Sequence, residues 1–403
     1  MNGALQGVRV LDLTQMMSGP YCTMMLGDQG ADVIKIEPPA GEVARAYGPH
    51  LPDDTERHFG GYFQSINRNK RSLVIDLKSA DGKAVFRRLV RDADVVVENF
   101  RAGVMERLEL PYESLAEINP ALVYATIRGF GDPRTGASPY QDWPAYDIVA
   151  QAMGGIMHMT GPVEGPPTKV GPGVGDTIAA MMTAFGIVSA VLHARMTGEG
   201  QFVDVAMIDT IHAVCERAAT FHGYNGEIAD AVGNHHPFFV PFGTFPCQDG
   251  WVAVGCPIDQ FWGKLATLMD EPEIGTDPRY ATNEERIKRR DEVNGIVTRW
   301  TQGRTKKELE ELIGGKVPFG PVNDIRDIVA SPHTAARGLM VELPHPGSNQ
   351  TVQVAQTPVR MTKTPGGAVT RAPTKGEHSD DVLTEAGFSA DEIAALRDDG
   401  AVG

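Results

Sequence analysis

The sequence predicts an α/β protein: a parallel, doubly wound sheet in a large domain, and a smaller α+β domain. Three observations carry this. Short β-rich runs at 8–13, 32–37, 72–77, 94–97 and 122–127 alternate with stretches of helical periodicity. A glycine-rich turn, Gly171-Pro172-Gly173-Val174-Gly175-Asp176, feeds residues 177–194, which hold no Asp, Glu, Lys or Arg and read as a buried helix. Composition then shifts over 223–250, rich in Gly, Pro, His and Phe, before strand and helix signals resume.

In chain order, the first strand leads into a helical stretch at 14–29. Between 77 and 94, Val85, Phe86, Leu89 and Val90 recur at helical spacing, and 112–118 is also predicted helical. The long apolar helix ends near Thr197-Gly198-Glu199-Gly200; a strand at 201–205 and a helix at 206–222 follow. Beyond the compositional boundary, 251–254 reads as a strand, and 261–269, 283–301 and 306–313 as helices. A Pro/Gly-rich return over 331–373 and a last helix at 390–398 close the chain. The predicted domains are 1–222, 223–330 and 331–403.

The 403 residues are 42% hydrophobic and 22% charged, so a sizeable core can be buried. A net charge of −15 argues against nucleic acid or an anionic membrane as partner, so an anionic ligand would need a local basic cluster. Cys22, Cys215, Cys247 and Cys256 lack metal spacing and fit a reducing cytoplasm. The N-terminus shows no basic segment followed by an apolar one, so export is not expected. The apolar stretch after Asp176 includes Thr183, Gly186 and Ser189, and is expected as a core helix.

On a parallel sheet, ligands bind beyond the strand C-termini, which directs attention to four loops. These are 14–20, 67–71, 98–101 with Arg107 beyond it, and 129–146. Arg68, Lys70 and Arg71 form the densest positive patch in this half and read either as a solvated strand edge or as an anion site, most naturally for phosphate, to which Arg101 and Arg107 would add. Asp176, placed at the first position of its helix, is expected to accept backbone N–H bonds and to feel the helix dipole. Both effects lower its pKa and keep it ionised; a cap and a catalytic carboxylate are both compatible with that position. His235-His236 reads as a loop or substrate contact, with no metal site expected. No dinucleotide fingerprint, phosphate-binding P-loop, serine nucleophile elbow or zinc-protease motif is found.

Taken together, several stretches resemble the family III CoA-transferases, the group that includes formyl-CoA transferase and carnitine CoA-transferase. They are Leu5-Gln6-Gly7-Val8-Arg9-Val10-Leu11-Asp12-Leu13-Thr14, Ser18-Gly19-Pro20, Gly30-Ala31-Asp32-Val33-Ile34-Lys35-Ile36-Glu37, Asn69-Lys70-Arg71-Ser72 and Glu98-Asn99-Phe100. Ala145-Tyr146-Asp147, Gln151-Ala152, Gly154-Gly155, Gly175-Asp176, Thr197-Gly198-Glu199-Gly200-Gln201 and Pro318-Phe319-Gly320-Pro321-Val322 continue it in order.

The resemblance implies a Rossmann-like large domain built from both chain ends, a small domain, and an interlocked homodimer. It implies Asp176 as nucleophile and CoA contacts at Met16, Met17, Ser18, Asn69, Lys70, Arg71, Ser72, Asn99, Phe100, Arg101, Arg107 and Tyr146. It places Gly233, Asn234, His235 and His236 against the acid substrate. No tightly bound cofactor is implied; the CoA thioester is a substrate, exchanged with a carboxylic acid, succinate being one candidate dicarboxylate. Departures are Met17 for a Gln of the formyl-CoA transferases, Pro38 for an Arg and Pro144 for a Lys. The α-methylacyl-CoA racemases of the same superfamily have His where Tyr146 stands; a racemase and a non-catalytic CoA-binding protein are the alternatives. With an ordinary pKa near 10, Tyr is a poor substitute for a histidine base.

Overall fold

The computed structural model describes residues 3–403, which form two compact units. Of the described residues, the first comprises 3–156, Lys169–Asn225 and His333–Gly403; the second comprises Met157–Thr168 and Gly226–Pro332.

The first unit opens with β1 (Arg9–Asp12), α1 (Ser18–Asp28), β2 (Asp32–Glu37), α2 (Gly61–Asn67), β3 (Lys70–Val74), α3 (Ala80–Val90) and β4 (Val95–Glu98). It continues through α4 (Val104–Arg107), α5 (Tyr112–Ile118), β5 (Val123–Arg128), α6 (Asp147–Met153), α7 (Val174–Thr197), β6 (Phe202–Ala206), α8 (Met207–Val214) and α9 (Glu216–Asn225). The six strands pair in the order β3-β2-β1-β4-β5-β6, every pair parallel. Helices cover the sheet, so strands such as Val95-Val96-Val97 are buried on both faces and run apolar without alternation. Helix α3 turns Val85, Phe86, Leu89 and Val90 into that core. Strand order reverses between β1 and β4, which opens a crevice at the C-terminal edge.

In the second unit, β7 (Phe242–Cys247), β8 (Gly250–Gly255) and β9 (Phe319–Pro321) form an antiparallel sheet. With them go α10 (Asp259–Leu268), α11 (Pro272–Thr276), α12 (Asn283–Lys288), α13 (Arg290–Gln302), α14 (Lys306–Ile313) and α15 (Ile325–Ala330). Trp262, Leu265, Val293, Val297 and Leu309 pack on the sheet's Phe245 and Val252.

The return segment carries α16 (Pro332–Arg337) and an antiparallel pair, β10 (Met340–Pro344) and β11 (Thr351–Ala355), where the sequence suggested only a Pro/Gly-rich connection. Then α17 (Ser379–Glu385) and α18 (Ala390–Asp398) bring Val382, Leu383 and Ile393 into the core of the parallel sheet. Asp76 N donates to Ala401 O at 2.9 Å, so both chain ends build this unit.

Several local readings shift. The helix expected over 206–222 breaks at Cys215, and that over 283–301 breaks at Arg289. The third strand begins at Lys70, two residues early, and α1 begins only at Ser18. The largest departure is α7. It starts at Val174, so Asp176 is its third residue and not its cap. Ala179, Ala180, Thr183, Ile187 and Val191 are buried, yet Phe185, Leu192 and Met196 on the other side are 77%, 61% and 76% exposed. The helix expected to be buried all round therefore has an open apolar face in the single chain.

Candidate active site

A cavity of about 220 Å³ opens beyond the C-terminal ends of β1, β4 and β5, at the reversal of strand order. Met16, Met17 and Ser18 line it from the first loop, and Asn99, Phe100 and Arg101 from the loop after β4. Tyr146 and Asp176 complete the sequence-predicted set found there.

The first loop is fixed from within. Buried Asp12, at the end of β1, accepts from Thr14 N at 2.9 Å and Thr14 Oγ1 at 2.5 Å. Asn99 then joins the two loops: its Oδ1 accepts from Gln15 N at 2.8 Å and its Nδ2 donates to Gln15 O at 2.7 Å. An amide side chain carries the same donor and acceptor as a peptide unit, which is why Asn suits this place.

The turn before α7 is docked on α6. Gly175 N donates to Asp147 Oδ1 at 2.9 Å, and Gln151 Nε2 donates to both Asp147 oxygens at 3.0 and 2.9 Å. Val170 N donates to Gln151 Oε1 at 2.9 Å. A Cβ at Gly175 would lie 3.0 Å from Asp147 O and 3.0 Å from Ala150 Cβ, tighter than ordinary contact, so any side chain here would press on α6.

This geometry leaves the Asp176 carboxyl half-buried, with no hydrogen-bond partner among the described residues. Burial, and then the negative charge of Asp147, push its pKa up to about 7. The sequence reading expected the opposite. Asp176 lies in the first turn and still feels the helix dipole, but it accepts no N–H bond among the described residues, and desolvation and a like charge prevail. Tyr62 of α2, which also lines the cavity, has its phenol pushed up to about 12 by burial and by the charges of Asp176 and Glu42. It therefore stays a hydrogen-bond donor.

The model of CoA-transferase family III matches residues 5–379. This chain belongs to CoA-transferase family III. It is 44% identical over 400 residues to the succinyl-CoA:mesaconate CoA-transferase of Haloarcula hispanica, covering 98% of this chain and 100% of the relative. With the succinate–glutarate CoA-transferase of Agrobacterium fabrum it shares 38% identity over 385 residues, 94% of this chain and 95% of the relative. The crystal structure of a CaiB/BaiF family protein from Brucella suis superposes with a TM-score of 0.85 at 35% identity, over 96% of this chain and 100% of that one. The protein is a CoA-transferase, moving CoA from an acyl-CoA donor to a free carboxylic acid.

The remaining predicted residues of this family III transferase lie elsewhere. Arg68 forms a two-pronged pair with Asp28, at 3.0 and 2.6 Å. Lys70 is fully buried, its Nζ 2.9 Å from Asp12 Oδ2 and bonded to Pro20 O and Asn67 Oδ1. Arg71 pairs with Asp32 and Glu385. Asn69 binds Asp28 and the backbone of Gly367, and Ser72 Oγ donates to Glu37 at 2.6 Å. The expected phosphate cluster is thus a set of internally matched charges, as buried cations require. Arg101 is different. Neither its guanidinium nor that of Arg107 has an ion-pair partner among the described residues; Arg101 borders the cavity, and Arg107 lies one short helix away on α4.

Gly233, Asn234, His235 and His236 belong to the second unit, where they run beside β7. Thr244 N donates to Asn234 O at 3.1 Å and His236 N to Phe242 O at 2.7 Å, and the His236 ring stacks on Phe239. Tyr62 lines the cavity from outside the four loops, while Gln15 and Trp143 lie within the first and fourth of them. No apolar periodicity marks the short helix that carries Tyr62.

Proposed function

We propose that this transferase uses Asp176 as a covalent nucleophile and a dicarboxylic acid as acceptor. The observation that carries it is a carboxyl with no hydrogen-bond partner among the described residues, set in the cavity at the strand-order reversal. The Asp176 carboxylate attacks the donor thioester carbon and expels CoA thiolate, leaving a mixed anhydride. The thiolate attacks the Asp176 carbonyl carbon, releasing the donor acid and forming an aspartyl-CoA thioester. The acceptor carboxylate displaces the thiolate to give a second anhydride. The thiolate then takes the acceptor's acyl carbon, and the Asp176 carboxylate is regenerated. Splitting the exchange this way keeps the acyl group activated while the acids change places.

Each addition places negative charge on an oxygen. Ser18 at the start of α1 lines the cavity, and the Met17 cap makes no side-chain bond there, so the N–H groups of Ser18 and Gly19, ahead of Pro20, are proposed oxyanion donors. Arg101 and Arg107 are the proposed phosphate contacts, replacing the 68–71 cluster. The dicarboxylate reading rests on the names of the two relatives. Gly233 to His236 are retained as proposed substrate contacts from the family resemblance. The open apolar face of α7 supports a homodimer, and four free cysteines support a reducing, cytoplasmic setting.

Trapping tests the central claim. With succinyl-CoA as donor, hydroxylamine should modify Asp176 alone in the peptide spanning 170–181, read by mass spectrometry. Asp176→Ala should abolish turnover and keep CoA binding. Near-normal transfer by a folded Asp176→Ala protein would refute it.

A further inference from the structure

Met16 has φ +65, in the left-handed region that a residue with a Cβ rarely enters. Such conformations persist where surrounding contacts impose them, and they gather at functional sites. The surrounding contact here is Glu42. Its Oε1 accepts from Met16 N at 2.7 Å, and its Oε2 lies 2.5 Å from Lys35 Nζ. Both side chains are 1% exposed. Lys35 Nζ in turn donates to Thr14 O at 2.9 Å. Glu42 is itself anchored: its N donates to Glu37 Oε2 at 3.1 Å, and Glu37 takes a two-pronged bond from Arg45 at 2.7 and 2.5 Å.

The loop after β1 is therefore held at three successive residues: Thr14 by Lys35, Gln15 by Asn99 and Met16 by Glu42. Only the last hold opposes strain. Immediately beyond it come Met17 and Ser18, which line the cavity, and the uncapped start of α1. We propose that Glu42 is a positioning residue: it holds Met16 in the left-handed conformation and so aims Met17, Ser18 and the first N–H groups of α1 at the reacting thioester. This rests on the reading of the cavity as the acyl-CoA site. Glu42 touches no substrate in it.

The chemistry of a glutamine at 42 supplies the test. A carboxylate offers one oxygen to Met16 N–H and the other to Lys35. An amide can offer an oxygen to only one of them and must turn its own NH₂ toward the other donor. Glu42→Gln should lower kcat/KM by about 10- to 100-fold, as misplacement near the reacting atoms does. Glycine at 16 adopts φ +65 without strain, so a Met16→Gly background should need Glu42 less. The Glu42→Gln loss measured in that background should shrink to about threefold or less. Equal loss in both backgrounds, or no loss in the first, overturns the proposal.

Hydrogen exchange decides the matter even if Glu42→Gln folds poorly. The Met16 amide of the wild-type enzyme should exchange slowly despite its place at a cavity; exchange at the unprotected rate overturns the hold. Failure of the Asp176 reading shows separately, as absence of the hydroxylamine adduct in wild type, and leaves the Met16 exchange result standing.

Discussion

Replacing Asp147 by Asn removes a charge from beside Asp176 and keeps the acceptor for Gly175 N, while its new NH₂ must face the donors Gln151 Nε2 and Lys169 Nζ. The Asn oxygen can still accept from Gly175 N, now 2.9 Å from Asp147 Oδ1. Asp176 sits at about 7 because burial, the larger cause, and Asp147 both oppose its ionisation. Attack requires the carboxylate, so kcat/KM of the wild type should fall about tenfold for each pH unit below 7. Asp147 contacts the residue next to Asp176. Two like charges several ångströms apart, at an effective dielectric of about 20, repel by about 2–3 kcal/mol. Lys169 Nζ, 3.3 Å from Asp147 Oδ2, already offsets part of this. Asp147→Asn should therefore move the acid limb down by about one pH unit, or about 1.4 kcal/mol. Burial persists in the variant, so the limb should stay above the ordinary carboxylate range. The sign is fixed, since losing a negative neighbour favours the ionised form and extends activity toward lower pH. Initial rates across pH 4.5 to 8.5 with a saturating acid acceptor measure it. Carbodiimide labelling of Asp176, which needs the protonated carboxyl, titrates the same group without turnover. A wild-type limb near pH 4, or an unmoved limb in Asp147→Asn, would refute the reasoning.

Two further tests separate binding from architecture. Lys70→Ala should destabilise the fold by about 3–5 kcal/mol, because it strands Asp12 without its buried partner, and a denaturant midpoint reads this. Arg101→Ala should instead leave the midpoint alone, weaken CoA-thioester affinity by about tenfold and flatten its salt dependence in calorimetry; the reverse pattern restores the 68–71 cluster as the phosphate site. Phe185→Asp, at a position 77% exposed on α7, should convert a sedimenting dimer into a monomer; a wild-type monomer at micromolar concentration would remove the basis for this test.

Where a local signal marks a boundary, the sequence is read to the residue. Helices α14 and α18 lie where expected, each behind a capping box, Thr305 with Glu308 and Ser389 with Glu392. Strand β2 and helix α5 likewise match their predicted spans. The β10–β11 pair was missed because its register depends on pairing across a turn, within a stretch whose Pro and Gly argue for a loop. Asn99 and Met16–Ser18 were found because they follow strands of a parallel sheet. Tyr62 arrives from a helix with no periodic signal, and only tertiary packing brings it to the cavity. Arg68, Lys70 and Arg71 looked like an anion site because their partners, Asp28, Asp12, Asp32 and Glu385, lie up to 314 residues away. The ionisation of Asp176 was misjudged for the same reason: desolvation is a property of packing, which a helix-start pattern does not contain.

Asn99 bears on how such a crevice can vary. The β1–β4 ladder makes its last backbone bond from Leu13 N to Val97 O. Two residues later the chains must part, since strand order reverses here and the connections leave on opposite sides of the sheet. The Asn99 amide meets Gln15 as another peptide would, adding one side-chain rung after the main-chain rungs stop. The gap at the floor is then set by the bond lengths of a single side chain and not by the way the flanking loops fold. Residues farther out, such as Met17 and Arg101, can be exchanged to suit a different acid while the floor keeps its width. Asn99→Asp keeps the acceptor but loses the donor, and would let the two walls drift apart even with every wall residue intact.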